Sequence, residues 1–265
     1  MKNAVRQGDL KKIMLFQIRI ANKIVQIRSI YELLYIYCKK YVIQDSLEKN
    51  PDIDICITEE EIVREFAVFQ ASNSSNSVNN TNLLEPDCLE ISIAFRKIVN
   101  AMIPLGRLLM HGSIVSTDGC GYMFTASSGV GKSTRTRLWI ENIPGSIVVN
   151  GDKPLLEITN DKVIAYGTPW SGKEWWNKNV SVPLRAIMMI ERASTAGECA
   201  VDELEFNDAY IALLKHIYLP PDPAAKKKTL QMLRDMQGKV HFYRFKSEPT
   251  PDAIKLAYEV VRNKV

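Results

Sequence analysis

The stretch Phe124-Thr125-Ala126-Ser127-Ser128-Gly129-Val130-Gly131-Lys132-Ser133-Thr134 follows an apolar run and precedes a segment of helical character. Strand, tight loop and helix N-terminus, in that order, are the context a phosphate-binding loop needs. Small residues at Ala126, Ser127, Ser128, Gly129 and Gly131 let backbone N–H groups close around phosphate oxygens. Lys132 sets a positive charge on the terminal phosphates, and the Ser133 hydroxyl suits a Mg²⁺ ligand. The dipole of the following helix adds to the attraction. The expected nucleotide contacts are therefore Ser127, Ser128, Gly129, Val130, Gly131, Lys132, Ser133 and Thr134, with ATP or GTP and Mg²⁺ as the implied cofactors. The first position of the G-x-x-x-x-G-K-[ST] pattern is Ala126 rather than glycine, and alanine tolerates φ > 0 poorly.

Working outward, Ile147-Val148-Val149 reads as a short buried strand that ends at Asn150-Gly151-Asp152-Lys153, about twenty residues past the loop. A carboxylate at the end of a buried strand is placed to hold Mg²⁺ or to take the proton of a hydroxyl. Upstream, Leu108 to Val115 and Gly121 to Ala126 read as two strands around the turn Ser116 to Cys120. His111-Gly112 lies on the first of them, heading toward the phosphate side. Downstream, Leu155 to Thr159 and Lys162 to Tyr166 pair around Asn160-Asp161. Then comes Tyr166-Gly-Thr-Pro-Trp-Ser-Gly-Lys-Glu174, followed by Trp175 and Trp176. Three of the chain's four tryptophans fall in this segment, which suits a surface that faces a substrate.

These residues carry a resemblance. His111-Gly112, Ala126 to Ser133 and Val148 to Asp152 together resemble the kinase domain of the HPr kinase/phosphorylase family, over about Leu108 to Trp176. That family shares its fold with ATP-dependent phosphoenolpyruvate carboxykinases and phosphorylates a serine of a small carrier protein. Where it has two adjacent aspartates, this chain has Gly151-Asp152. The Gly-Asp-Lys-Pro and Gly-Thr-Pro-Trp-Ser-Gly stretches are similar to those of HPr kinase-like proteins that accompany peptide-modification systems.

The resemblance implies an α/β P-loop fold of the carboxykinase and HPr kinase type over residues 101–265. It implies transfer of a γ-phosphoryl group to a hydroxyl, most often serine, on a peptide or small protein. Catalysis is expected from Asp152, Lys132 and His111. The metal would be held by Ser133 and Asp152, and the acceptor by Thr168, Trp170, Ser171, Gly172, Lys173 and Arg185. A small-molecule hydroxyl kinase and a nucleotide-dependent switch without an acceptor remain as alternatives.

The rest of the chain is quieter. Residues 1–100 read as an appended α/β region suited to recognising the acceptor. It holds a hairpin from Ile13 to Ile20 and Ile24 to Ile27, a segment Tyr31 to Val42 open to helix or strand with helix favoured, and a strand through Ile53, Ile55 and Ile57. Thr58 and Glu61 form a capping box that opens a helix with Phe66 and Phe69 on its apolar face. Ser72 to Asn82 is expected to be a mobile loop, and Glu85 to Met102 a helix. The C-terminal part should be a strand from Leu184 to Ile190, helices over Asn207 to Tyr218 and Ala224 to Met236, a strand from His241 to Phe245 and a last helix over Pro251 to Arg262.

With 34 basic and 30 acidic residues the charge is too near balance to point to nucleic acid. Five scattered cysteines without a C-x-x-C pair read as reduced thiols in a cytoplasm. No run approaches the length of a membrane span. A homo-oligomer stays open.

Overall fold

The computed structural model describes residues 13–45, 47–73 and 85–263 of the chain. It is mixed α/β and divides into two compact units, Met1–Ile98 and Val99–Val265.

In the first unit, β1 (Met14–Ile20) and β2 (Lys23–Ser29) form the hairpin expected from their alternation. Ala21 and Asn22 both take φ > 0, the two-residue turn whose twist matches the flanking strands. A helix α1 (Glu32–Cys38) and a 3₁₀ turn at Lys39–Tyr41 lead on to β3 (Ile53–Cys56), which pairs parallel with β2. The capping box at the start of α2 (Glu59–Asn73) is formed. Thr58 N–H donates to the Glu61 carboxylate, and Glu61 N–H donates to Thr58 Oγ1. Ile62 is buried on this helix, but Phe66 is not, so the apolar face is narrower than the sequence suggests. Apart from the end of α2, the loop expected at 72–82 lies outside the described residues. In α3 (Pro86–Met102) the buried Glu90 accepts the backbone N–H groups of Ile30 and Tyr31, so its burial is compensated.

The second unit is built on a sheet. Its strands are β4 (Arg107–Leu109), β5 (Ser113–Thr117), β6 (Cys120–Thr125), β7 (Ile147–Asn150), β8 (Leu155–Ile158), β9 (Val163–Tyr166), β10 (Ser181–Arg192), β11 (Cys199–Glu203) and β12 (His241–Ser247). Among the described residues the order is β4-β8-β9-β10-β6-β5-β7, with β12 also on β10 and β11 on β12. The span Leu108 to Val115 is two strands rather than one. β4 pairs with β8 and β5 with β6 and β7, so the chain must change partners across Met110-His111-Gly112.

The strand expected at Leu184 to Ile190 is longer and joins both parts of the sheet. Its first residues run antiparallel to β9, and after a register shift at Leu184/Ala186 the rest runs parallel to β6 and β12. Alternation along it feeds two cores. Ile187 and Met189 face one cluster with Ile114, Met123 and Leu213, while Ala186, Met188 and Ile190 face another with Phe124, Trp139 and Ile254.

Helices cover both faces. α4 (Lys132–Asn142) and α7 (Pro251–Arg262) share one side, where Trp139 meets Tyr258 edge-on at 5.3 Å. Trp139 Nε1 is satisfied by Thr117 Oγ1 at 2.9 Å. α5 (Phe206–Leu213) and α6 (Pro223–Arg234) cover the other side. Asp222 and Thr250 cap α6 and α7. α5 stops at Leu213, well short of the expected Tyr218. The backbone at 216–218 pairs instead with 109–111, through His111 N–H to His216 C=O and Tyr218 N–H to Leu109 C=O. β11 was not expected from the sequence, and it lengthens the sheet at β12.

Candidate functional site

The glycine loop joins the end of β6 to the start of α4. Gly129 and Gly131 take φ of 79° and 106°, conformations that a side chain would oppose. Ala126 is buried and does not take φ > 0, so the missing first glycine costs the loop nothing in backbone strain. Lys132 is 9% exposed, and its Nζ donates to the Ala126 carbonyl at 2.9 Å. Burial lowers its pKa below the usual lysine value, and the Asp152 carboxylate works against that shift.

Asp152 faces the loop. Burial pushes its carboxyl up, but the hydrogen bond and charge of His111, followed by Lys153 and Lys132, leave it below the usual value. His111 Nε2 lies 3.1 Å from Asp152 Oδ1. Their backbones are also joined, with Gly112 N–H donating to the Asp152 carbonyl at 2.8 Å. Thr125 Oγ1 fixes the other side of His111 by donating to its carbonyl at 2.8 Å.

The turn that carries Asp152 is held from within. The Asn150 side chain is wholly buried, and its Oδ1 accepts the N–H groups of Asp152 and Lys153. Its Nδ2 donates to the carbonyl and hydroxyl of Thr168. Asn150 was part of the quoted motif but not expected to matter by itself; the signal was an Asx turn in Asn-Gly-Asp. His216 was missed entirely. Its carbonyl holds the His111 N–H at 2.6 Å, and its ring lies 6.4 Å from that of His111. Burial, then the nearby His111, Lys132 and Lys215, lower its pKa.

One cavity of about 510 Å³ gathers His111, Ser128, Gly129, Gly131, Lys132, Ser133, Thr134, Gly151 and Asp152. Ser171, Gly172, Lys173 and Glu174 line its other wall. Ser127 and Val130 belong to the loop but do not line that cavity. The open glycines, the buried lysine, the Ser133 hydroxyl and the carboxylate across from them fit a magnesium-bound phosphate chain. No group of three or more His, Cys, Asp or Glu side chains suited to a metal occurs among the described residues. A magnesium here would therefore draw on Ser133, Asp152 and phosphate oxygens.

Three of the expected acceptor contacts need correction. Thr168 is 0% exposed, and its hydroxyl is used on Lys153 C=O and Asn150. Trp170 is 5% exposed, so the aromatic surface read from the sequence turns inward at this residue. Trp175 is 57% exposed and takes φ of 55°, and Trp176 is bracketed by the Arg137 guanidinium at 5.6 Å. Arg185 sits beside the start of β6, at the opposite end of the sheet from the glycine loop, and donates to the Arg262 carbonyl. Arg192, at the other end of the same strand, is the arginine that reaches the loop, donating to Gly129 C=O at 3.3 Å.

No helix of the described residues is long and apolar enough to cross a membrane. No protein-family model matches the chain, and no curated protein matches it. Among solved structures it is similar to the Hpr(Ser) kinase/phosphatase from Coxiella burnetii, at 13% identity and a TM-score of 0.34, over 58% of this chain and 88% of that one. At that TM-score the likeness carries no argument about fold or function.

Proposed function

We propose that the chain is an ATP-dependent kinase with an HPr kinase-like P-loop fold, transferring the γ-phosphoryl group to a hydroxyl of a peptide or small protein. One observation carries this reading: the His111–Asp152 pair stands in the same cavity as the glycine loop and Lys132. A loop alone needs only to bind phosphates. A carboxylate held charged opposite it, with an imidazole on one oxygen, adds a group that can accept or orient a hydroxyl proton.

The roles follow from charge. Backbone N–H groups of the loop and Lys132 offset the charge of the β and γ phosphates. Ser133 and Asp152 are the residues that would hold Mg²⁺, and the ion, when bound, neutralises charge that develops on the phosphates. Asp152 orients the acceptor hydroxyl and takes its proton, and His111 keeps the carboxylate fixed in direction. Ser171, Gly172 and Lys173 form the wall along which the acceptor approaches.

The test is incubation of the full chain with γ-labelled ATP, Mg²⁺ and a lysate of the source cell, resolved into proteins and metabolites. Label on a protein or peptide band that disappears with Asp152→Asn supports the proposal. Label only on a metabolite, or only on free phosphate, overturns the peptide acceptor.

A further inference from the structure

On the far side of the glycine loop lies a second cavity, also of about 510 Å³ and within the size range of small-ligand sites. Gly129 and Gly131 line both cavities, so the loop is a shared ridge between them. A Cβ added at Gly129 would meet nothing within 4 Å, so a ligand can cross the ridge there.

The second cavity has a built floor. Arg135, one turn into α4, is 1% exposed, with its guanidinium 5.4 Å from the Phe245 ring centre. Its terminal nitrogens donate to Ser247 and to the Val130 carbonyl, and its Nε, also buried, has no hydrogen-bond acceptor. Among the described residues neither Arg135 nor Arg192 makes an ion pair with a carboxylate. The opposite wall is the loop after β10. Its Ser194 and Thr195 N–H groups donate to Glu198, which is in turn paired with Lys246 at 2.7 Å. That wall is shaped before any ligand arrives.

We propose that this cavity receives the base and ribose of the nucleotide whose phosphates occupy the first. The inference rests on the kinase reading and extends it. A guanidinium plane such as that of Arg192, which lines this cavity and not the first, stacks on an aromatic base. The Ser194 and Thr195 hydroxyls can both donate and accept, as ribose hydroxyls and base edges require. Two cavities joined over glycines match a ligand with a charged half and a planar half.

The experiment compares binding of MgATP and of magnesium tripolyphosphate, which has no nucleoside, by calorimetry on the full chain. Thr195→Trp fills the second cavity, and Arg192→Ala empties one wall of it. Both should weaken MgATP by about tenfold or more and leave tripolyphosphate within about twofold. Lys132→Ala should weaken both ligands. If Thr195→Trp and Arg192→Ala leave MgATP unchanged while Lys132→Ala does not, the nucleoside lies elsewhere and only this inference fails. Equal weakening of both ligands would make the cavity an anion site and overturn it too. If the wild-type chain binds neither ligand, the nucleotide reading itself falls.

Discussion

His111 Nε2 sits 3.1 Å from Asp152 Oδ1 while the neighbouring Gly112 N–H holds the Asp152 carbonyl, so one short segment grips this aspartate at side chain and backbone together. The side-chain contact can be removed without disturbing the backbone one. Asp152→Asn keeps the turn, since Asn150 bonds only the N–H of that residue. Transfer should fall on the order of 10²-fold or more while nucleotide affinity changes little. Near wild-type transfer in a folded variant would return Asp152 to a turn role.

Lys132→Ala removes the one lysine of the loop and one of the two lysines whose charge acts on Asp152. Nucleotide turnover should be lost, a change of several kcal/mol shared between binding and transition state. The fold should survive, because the alanine leaves only the Ala126 carbonyl without its side-chain donor. Turnover rates with circular dichroism on the same samples decide it, and unchanged turnover would take the loop out of the mechanism.

Asn150→Ala tests whether the site depends on its support. The change strips acceptors from two backbone N–H groups and a donor from buried Thr168. Denaturant unfolding should show a loss of about 2–4 kcal/mol. A companion variant is Gly167→Ala, whose Cβ would clash with the Lys178 carbonyl oxygen and meet the Val149 oxygen at 2.8 Å. It should destabilise at least as strongly, since backbone on both sides cannot move away cheaply. A loss under about 1 kcal/mol in both would mean that the turn holds without them.

His216 gives a pH dependence with a definite sign. Burial and its positive neighbours hold its folded pKa below the usual histidine value. The unfolded chain therefore takes up its proton first as pH falls, and stability declines from about pH 6.5 downward. Asp152 is also depressed, but its contribution is lost only lower, as pH falls through the carboxylate range. His216→Gln should flatten the stability curve between about pH 7 and 5 and leave the steeper acid limb in place. An unaltered slope over that window would assign it to other groups.

How much of this was legible in the sequence depended on how local the cause was. The glycine loop, the Ala21-Asn22 turn and the Thr58–Glu61 box are decided within a few residues, and each was read from composition and spacing. The orientation of Thr168, Trp170 and Arg185 is decided by strands far away in the chain, and no window around them carries that information. The same holds for the end of α5, where helical patterning continued but backbone pairing with 109–111 won. Arg192 had no signal: it is a polar residue at the end of an apolar strand until β10 is laid beside β6.

β10 also governs the order in which the molecule can be assembled. The strand that delivers the glycine loop is β6, and its parallel partner, pairing Phe124 with Met188, is synthesised much later. Closing so long a segment before any pairing is gained makes this a slow step. A nascent chain that has not yet released β10 holds the whole loop motif with β5 beside β6 but without its parallel neighbour. Competence to bind a nucleotide would then arrive late and abruptly, with the emergence of residues 181–192, and not gradually as the chain lengthens.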